Sequence, residues 1–311
     1  MKARYAVTLL ASILLSGSSD ADAIEPVSTL VRRTFVYKST PDCKIHLDLY
    51  ESGSTPDPSP VIVDIHGGAL IFGSRSRNVE RYVNAGYRVA AIDYRLAPET
   101  KLPEIVADVR DELGWIREHA SELNVDPGRI GVLGGSAGGY LTLMTGTFEQ
   151  KPRVLVSFYG YGDLIGDWLT QPHYLEQRHV SREEALKQVE QKPISEGRRP
   201  GLFYRYTRQT ARWPIEVSGV DPKENPEFFT SYMPERNVEP GYPPTTLLHG
   251  TKDKDVPYEK SVEMAKRLHA AGVEHELITI EGAGHGFNGR MPEVQAAYRR
   301  VIAFLDKHLK R

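Results

Sequence analysis

The residues whose types and spacing most clearly indicate reactivity stand at 134–139, where the sequence reads Gly-Gly-Ser-Ala-Gly-Gly. This Gly-x-Ser-x-Gly pattern lies between an apolar run at 129–133 and a helix-like run at 140–144. A serine on so tight a strand-to-helix turn takes a strained backbone conformation, and its hydroxyl projects above the sheet edge. The pattern predicts that Ser136 is a nucleophile and that the amide of Ala137 faces an oxyanion. On these five residues alone, a glycine-rich turn with a surface serine is an equally good interpretation.

An earlier segment provides further amides for such an oxyanion. An apolar, strand-like run at 61–65 leads into His-Gly-Gly-Ala at 66–69. The small residues leave backbone N–H groups free to face a ligand oxygen, so Gly68 and Ala69 are predicted to line an oxyanion hole together with Ala137.

Two later segments provide an acid and a base. The apolar run at 245–248 precedes a loop that carries Asp253 and Asp255, and the run at 275–280 precedes the glycine-flanked His285. Either carboxylate could orient the imidazole as far as these residues show. A serine, an acid and a histidine that occur in this order along the chain, each after a strand, are typical of an α/β-hydrolase triad.

With these motifs the sequence resembles the α/β-hydrolase superfamily over nearly all of the chain after residue 30. It looks most like the microbial esterase/lipase branch related to hormone-sensitive lipase. The residues that carry the resemblance are 66–69, 93–99, 134–139, Asp253 and His285.

The resemblance selects one of the two acids, and the sequence also departs from the family pattern at two positions. The acid of the resembled pattern stands three residues before the valine of the Val256-Pro257 pair, which selects Asp253 and leaves Asp255 as a loop or helix-capping residue. Ala69 occupies the place of a usual third glycine, and Gly135 stands where an acidic residue often precedes the serine. These departures loosen the subfamily assignment toward feruloyl-esterase-like and formamidase-like groups.

Composition limits the classes of protein that remain. With 311 residues, of which 40% are hydrophobic, the chain can bury one large core, so we expect a single domain at 24–311 with an insertion. The net charge is only −2, with both signs interspersed, which argues against a nucleic-acid partner. His173 and His179 lack metal-pair spacing, so no metal is predicted.

The N-terminal residues 1–23 have the pattern of a secretory signal peptide: Lys2 and Arg4, an apolar run at 6–15, and a small-residue stretch that ends at Ala23. The apolar run is too short for stable membrane insertion, and the prediction is a secreted or periplasmic protein. A frayed N-terminal helix of a cytosolic enzyme is the alternative. Cys43 is the single cysteine, so no internal disulfide can form.

Strand-like and helix-like runs alternate along the chain. Eight strands are predicted, at 34–38, 45–50, 61–65, 87–92, 129–133, 154–158, 245–248 and 274–280. Helices are predicted at 79–85, 104–120, 137–146, 258–271 and 292–309. This alternation predicts an α/β fold: a mostly parallel eight-stranded sheet covered by helices on both faces, with the site at the carboxyl ends of the strands.

The stretch at 161–244 is far longer than an ordinary connection between two strands. In the resembled family such an insertion forms a cap over the active site. Its aromatic residues are predicted either to line a substrate pocket or to pack as the core of the cap.

The motifs together predict a serine carboxylesterase for short acyl or compact aryl esters, with Ser136, His285 and Asp253 as the triad and no cofactor. An amide-bond hydrolase, either a formamidase or a serine peptidase, fits the same residues. A non-catalytic binding protein on this scaffold is disfavoured because every catalytic part is present. The expected partner is a small-molecule ester, and the sequence predicts no oligomeric state.

Overall fold

A computed structural model describes residues 30–53, 55–56, 58–173, 178–197, 201–287, 289 and 291–310, and the backbone of Val7–Leu9. The remainder of the predicted signal peptide lies outside the described residues. The strands of the described chain are β1 (Val7–Leu9), β2 (Val31–Ser39), β3 (Lys44–Glu51), β4 (Ser59–Ile65), β5 (Arg88–Ile92), β6 (Val125–Gly135), β7 (Val154–Phe158), β8 (Thr245–Gly250) and β9 (His275–Ile280).

All nine strands join one sheet in the order β1-β2-β3-β5-β4-β6-β7-β8-β9. The pairs from β5 through β4 to β9 are parallel, and those among β1, β2, β3 and β5 are antiparallel. The eight predicted strands are therefore confirmed, and the short β1 adds a ninth at the edge. Parallel strands place their carboxyl ends at one edge, which is where the loops that follow β4, β6, β8 and β9 meet.

The helices of the described residues are α1 (Glu80–Asn84), α2 (Leu102–Glu118), α3 (Ala120–Leu123), α4 (Ala137–Thr145), α5 (Asp167–Thr170), α6 (Arg182–Leu186), α7 (Leu202–Gln209), α8 (Trp213–Ser218), α9 (Glu259–Ala270) and α10 (Pro292–Leu309). Among these described helices, none has the length and apolar composition that crossing a bilayer requires.

The sheet is buried on both faces because its central strands are apolar throughout. In β4, Val61, Val63 and Ile65 pack into one core with residues of α2, α4 and α9. Ile62 points to the opposite face and joins a second core with residues of α1 and α10. Helices therefore cover both faces, as the alternating pattern predicts.

The segment between β7 and β8 contains α5 to α8 and two 3₁₀ helices, Pro226–Tyr232 and Pro234–Arg236. Three of its large aromatic side chains are buried: Trp213 is 2% exposed, and Phe203 and Phe229 are each 1% exposed. The short helices therefore pack around an aromatic core that is continuous with the core of the sheet.

Candidate active site

Ser136 lies on the turn between β6 and α4, with φ of 56° and ψ of −120°. Non-glycine residues rarely adopt a positive φ, so surrounding contacts have to hold the turn. Its amide donates a hydrogen bond of 2.9 Å to the carbonyl of Phe158. A Cβ at Gly138 would lie only 2.0 Å from the carbonyl oxygen of Ile65, so glycine is needed for α4 to pack this closely. The strained strand-turn-helix setting of the serine is thus present.

His285 follows β9 and contacts Asp253, which follows β8. Nδ1 of His285 lies 2.7 Å from Oδ2 of Asp253. The Asp253 side chain has no solvent exposure, whereas that of His285 is 27% exposed. Because the carboxylate accepts the proton of Nδ1, the other nitrogen, Nε2, is the one that can accept a proton.

Asp253 accepts hydrogen bonds on both carboxylate oxygens. Oδ1 receives the amides of Asp255 at 2.9 Å and Val256 at 3.0 Å, and Oδ2 lies 3.2 Å from Nε2 of His249. Burial raises the pKa of Asp253, but the hydrogen bonds from His249 and His285 outweigh it and hold the pKa well below the ordinary value. Asp253 is therefore an ionised acceptor at neutral pH.

The pKa of His285 reflects the same surroundings. Burial lowers this pKa, but the hydrogen bond to Asp253 and the charges of Asp253 and Asp255 together raise it by a larger amount, so the pKa lies above its ordinary value. The ring of Tyr159 meets the imidazole edge-on, with 4.7 Å between the ring centroids. These contacts hold the imidazole in place and favour its taking up a proton.

Asp255 does not cap α9, whose N-cap is Tyr258 without a side-chain hydrogen bond. Its Oδ1 instead accepts a hydrogen bond from the hydroxyl of Tyr204 on α7. Its Oδ2 lies 3.9 Å from Nε2 of His285. The two carboxylates of the loop therefore lie near different nitrogens of His285, Asp253 at Nδ1 and Asp255 at Nε2.

The loop after β4 has an unusual backbone conformation. Gly68, Ala69 and Leu70 all have positive φ, of 105°, 55° and 62°. Within the described chain, neither the amide of Gly68 nor that of Ala69 donates a backbone hydrogen bond. The carbonyl of Ala69 accepts a 3.0 Å hydrogen bond from the indole nitrogen of Trp213. These amides are therefore free to bind a ligand oxygen, and the hydrogen bond from Trp213 holds the loop in place.

His66 braces this loop, as its position predicts. Its Nδ1 lies 2.7 Å from the carbonyl of Gly67, and its ring stacks on Tyr94 with 4.3 Å between centroids. Burial lowers the pKa of His66 to about 4, even though the hydrogen bond to Gly67 opposes the shift. The side chain is therefore neutral at physiological pH.

A cavity of about 470 Å³ brings the predicted residues together. Ser136, His285, Gly68 and Ala69 line it, whereas Asp253 and Ala137 are buried behind its wall. The wall includes the aromatic residues Phe72, Tyr159 and Tyr204. Among the described residues of the predicted cap, Tyr204 is the one aromatic residue that lines the cavity. A larger cavity of about 750 Å³ lies beside α2 and contains none of the predicted site residues.

Sequence reasoning missed Tyr159 and the cavity-facing position of Asp255, and it included Tyr204 only among the insertion aromatics that either line a pocket or form the cap core. Tyr159 directly follows β7, so the rule that located the other residues could have found it. Tyr204 offered no such signal because its position depends on how the inserted helices pack.

One group of potential metal ligands lies elsewhere. Donor atoms of His46, Asp93 and Glu196 lie within 4.8 Å of one another. Arg75 forms ion pairs with both Asp93 and Glu196, the latter at 3.1 Å. Because this guanidinium already pairs with both carboxylates, the group is better described as an ion-pair cluster than as a metal site.

Two family models match the sequence. The BD-FAE model matches residues 47–268, and the model of the Dienelactone hydrolase family matches residues 230–309. Esterase LipC of Mycobacterium tuberculosis (strain ATCC 25618 / H37Rv) is 26% identical over 258 residues, which are 78% of this chain and 57% of LipC. The chain thus spans little more than half the length of that relative.

Solved structures share the fold. An alpha/beta hydrolase superfamily protein from Enterococcus faecalis is 24% identical, with a TM-score of 0.68 over 85% of this chain and 96% of that chain. Thermogutta terrifontis esterase 2 phosphoramylated by tabun is 26% identical, with a TM-score of 0.62 over 90% of this chain and 94% of that chain. The predicted α/β-hydrolase fold is confirmed.

Proposed function

The chain belongs to the BD-FAE family, and from this membership and its α/β-hydrolase fold we propose that it is a serine carboxylesterase for short acyl or compact aryl esters. The single observation that carries the proposal is the 2.7 Å contact between Nδ1 of His285 and Oδ2 of Asp253, in a site where Ser136 lines the same cavity as the imidazole. This arrangement supplies a nucleophile, a base and the acid that orients it.

In the proposed acylation step, Oγ of Ser136 attacks the ester carbonyl carbon while its proton passes to Nε2 of His285. The amides of Gly68, Ala69 and Ala137 stabilise the negative charge on the carbonyl oxygen. The bond between the acyl carbon and the leaving oxygen then breaks as Nε2 returns the proton to that oxygen. Asp253 remains ionised and stabilises the imidazolium.

Deacylation repeats these steps with water. Nε2 removes a proton from water, the hydroxyl attacks the acyl carbon, and Ser136 regains its proton as the carboxylic acid leaves. The cavity of about 470 Å³ has aromatic walls and lies in the lower half of the volume range of small-molecule sites, so we expect compact esters to be preferred over long-chain esters.

A fluorophosphonate probe tests the proposed nucleophile, and the tabun adduct of the related Thermogutta esterase supports this choice of reagent. We expect labelling of Ser136 alone, identified by mass spectrometry, and none in Ser136→Ala. Labelling that survives the substitution would refute the assignment.

Asp253→Asn tests the proposed acid. It should lower kcat by roughly 10⁴-fold because the imidazole loses its working tautomer. Asp255→Asn should have a far smaller effect on a neutral ester. Matched 4-nitrophenyl acetate and 4-nitroacetanilide would show whether esters are preferred over amides, as we expect.

Export is also proposed, from residues 1–23. Expression of the full chain in a bacterial host, followed by N-terminal sequencing of the periplasmic protein, should give a mature chain that begins after Ala23. An unprocessed cytoplasmic protein would contradict the proposed signal peptide.

A further inference from the structure

Asp255 is a cavity carboxylate that the proposed reaction does not use. It lines the same cavity as Ser136 and His285, and its side chain is 21% exposed. The hydroxyl of Tyr204 donates to Oδ1, which leaves Oδ2 facing the cavity 3.9 Å from Nε2 of His285. A fixed negative charge is therefore placed beside the reacting atoms.

This charge is not taken up by an arginine or a lysine of the described chain. Arg208, a buried cation beside the loop, donates at 3.3 Å to the main-chain carbonyl of Asp255 and not to its carboxylate. No lysine or arginine is among the described residues that line the cavity. A cation bound in the cavity would therefore meet an unpaired carboxylate.

The position of Asp255 places its carboxylate near the leaving group of the substrate. Nε2 of His285 is the atom that returns a proton to the leaving oxygen, so that oxygen must come within about 3 Å of Nε2. Because Oδ2 of Asp255 is 3.9 Å from the same nitrogen, it lies within about 7 Å of the leaving oxygen, on the part of the cavity that the leaving group enters. A charged group two carbons from the ester oxygen falls within its reach.

Aromatic rings complete this corner of the cavity. Phe72 and Tyr204 both line the cavity, and their ring centroids are 6.2 Å apart with an angle of 59° between the planes. The negative faces of such rings attract cations, including quaternary ammonium groups, which cannot donate hydrogen bonds.

We propose that Asp255, Tyr204 and Phe72 form a leaving-group subsite for esters of cationic alcohols, such as alcohols that carry an ammonium group two carbons from the ester oxygen. The inference rests on the proposed esterase function, because it needs Nε2 of His285 to face the leaving group. The subsite favours cationic over neutral leaving groups, and neutral over anionic ones.

Three acetate esters of similar size test the subsite: acetylcholine, its neutral carbon analogue 3,3-dimethylbutyl acetate, and anionic 2-sulfoethyl acetate. Acetate release is followed by ¹H NMR at low ionic strength. The acyl group is constant, so differences report the leaving-group side. We expect kcat/KM to be about tenfold higher for acetylcholine than for its neutral analogue, and lower still for the sulfonate. Added salt should reduce the differences in kcat/KM among the three esters, because it screens the charge of Asp255.

Asp255→Asn should bring the cationic-to-neutral ratio close to one while the neutral ester is still hydrolysed. Glu259→Gln is the matched control: it removes an exposed carboxylate of the neighbouring helix α9 and should leave the ratio unchanged. A wild-type ratio near one, or a ratio that survives Asp255→Asn, would overturn the subsite. Equal losses on all three esters in Asp255→Asn would also overturn it, because Asp255 would then act only through His285.

Failure of the proposed function gives a different result. In that case none of the three esters is hydrolysed and the fluorophosphonate probe leaves Ser136 unlabelled. An active, labelled enzyme with no charge preference overturns the subsite alone.

Discussion

The indole nitrogen of Trp213 donates a 3.0 Å hydrogen bond to the carbonyl oxygen of Ala69. Trp213 begins α8 in the insertion, and Ala69 belongs to the predicted oxyanion loop. Ala69 has a φ of 55°, which costs free energy for a residue with a side chain, so an external contact is needed to hold it. The insertion therefore supports the backbone whose amides are proposed to bind the oxyanion.

Trp213→Phe should consequently lower kcat by about tenfold with little change in KM, because it removes a hydrogen bond that orients a catalytic group and keeps most of the aromatic packing. Steady-state kinetics on 4-nitrophenyl acetate measure both constants.

Trp168→Phe is the control, since the Trp168 indole nitrogen is buried without a hydrogen-bond partner in the described chain. This variant should retain wild-type kcat. Equal kinetic losses in the two variants would show that indole packing, and not the bond to Ala69, is what matters.

The pH dependence of kcat/KM should reveal the environment of His285. Burial lowers its pKa, but Asp253 and Asp255 raise it by more, so the acid limb should have its midpoint above the ordinary histidine value of about 6.5. Activity is lost as the pH falls through this midpoint, because the protonated imidazole cannot act as a base. The opposing charge near His285 is that of Arg208, and Tyr159 is the other ionisable group in contact with it.

Asp255→Asn should move this midpoint to lower pH, since it removes a negative charge 3.9 Å from Nε2. Rate profiles from pH 4 to 9 on a neutral ester would measure the shift. A midpoint that is unchanged or higher in the variant would mean that Asp255 does not act on His285 through its charge.

Asp64 should make stability depend on pH in the opposite way to an ordinary carboxylate. It lies in β4 with 9% exposure, and burial raises its pKa to about 6, although a hydrogen bond from Ser76 opposes the shift. A pKa raised in the folded state stabilises the fold at low pH, and this contribution is lost as the pH rises through about 6.

Asp64→Asn should therefore increase the free energy of unfolding by roughly 2–3 kcal/mol at pH 8 and change it little at pH 4. Urea unfolding at both pH values measures the difference. Stabilisation that is equal at both pH values would show that ionisation of Asp64 is not its cause.

The parts of the site that were predictable from the sequence are those fixed by local backbone geometry. Ser136 and the loop at 66–69 were identified because glycine patterns specify tight turns, and His285 because it follows an apolar strand. The same rule placed both Asp253 and Asp255 after β8, and the family resemblance selected Asp253. The eight strands were predicted for the same reason, because the spacing of apolar residues along a short stretch indicates a strand and its buried faces.

What the sequence did not predict depends on packing between distant segments. Tyr204 reaches Asp255 from 51 residues away, and Trp213 reaches Ala69 from 144 residues away. Nothing in the local pattern of the proline-broken insertion specifies these partners. The aromatic residues of the insertion therefore fitted both a pocket wall and, more often, a buried core until the structure separated them.

This separation leads to a prediction about specificity. Phe72 lines the same cavity as Ser136, whereas Phe229 is 1% exposed and belongs to the hydrophobic core. Phe72→Ala should widen the leaving-group side, because it deletes a ring from the wall beside Tyr204. We expect the ratio of kcat/KM for 1-naphthyl acetate to that for methyl acetate to rise by about tenfold.

Phe229→Ala should act differently, because it opens a cavity in the core instead of enlarging the substrate site. It should lower the free energy of unfolding by about 3–5 kcal/mol and leave the ratio between the two esters unchanged. Thermal unfolding and the two esterase assays, run on both variants at a temperature where each is folded, give the comparison. If Phe229→Ala shifts the ester ratio as strongly as Phe72→Ala does, the insertion core also shapes the substrate site, and the distinction between wall and core is wrong.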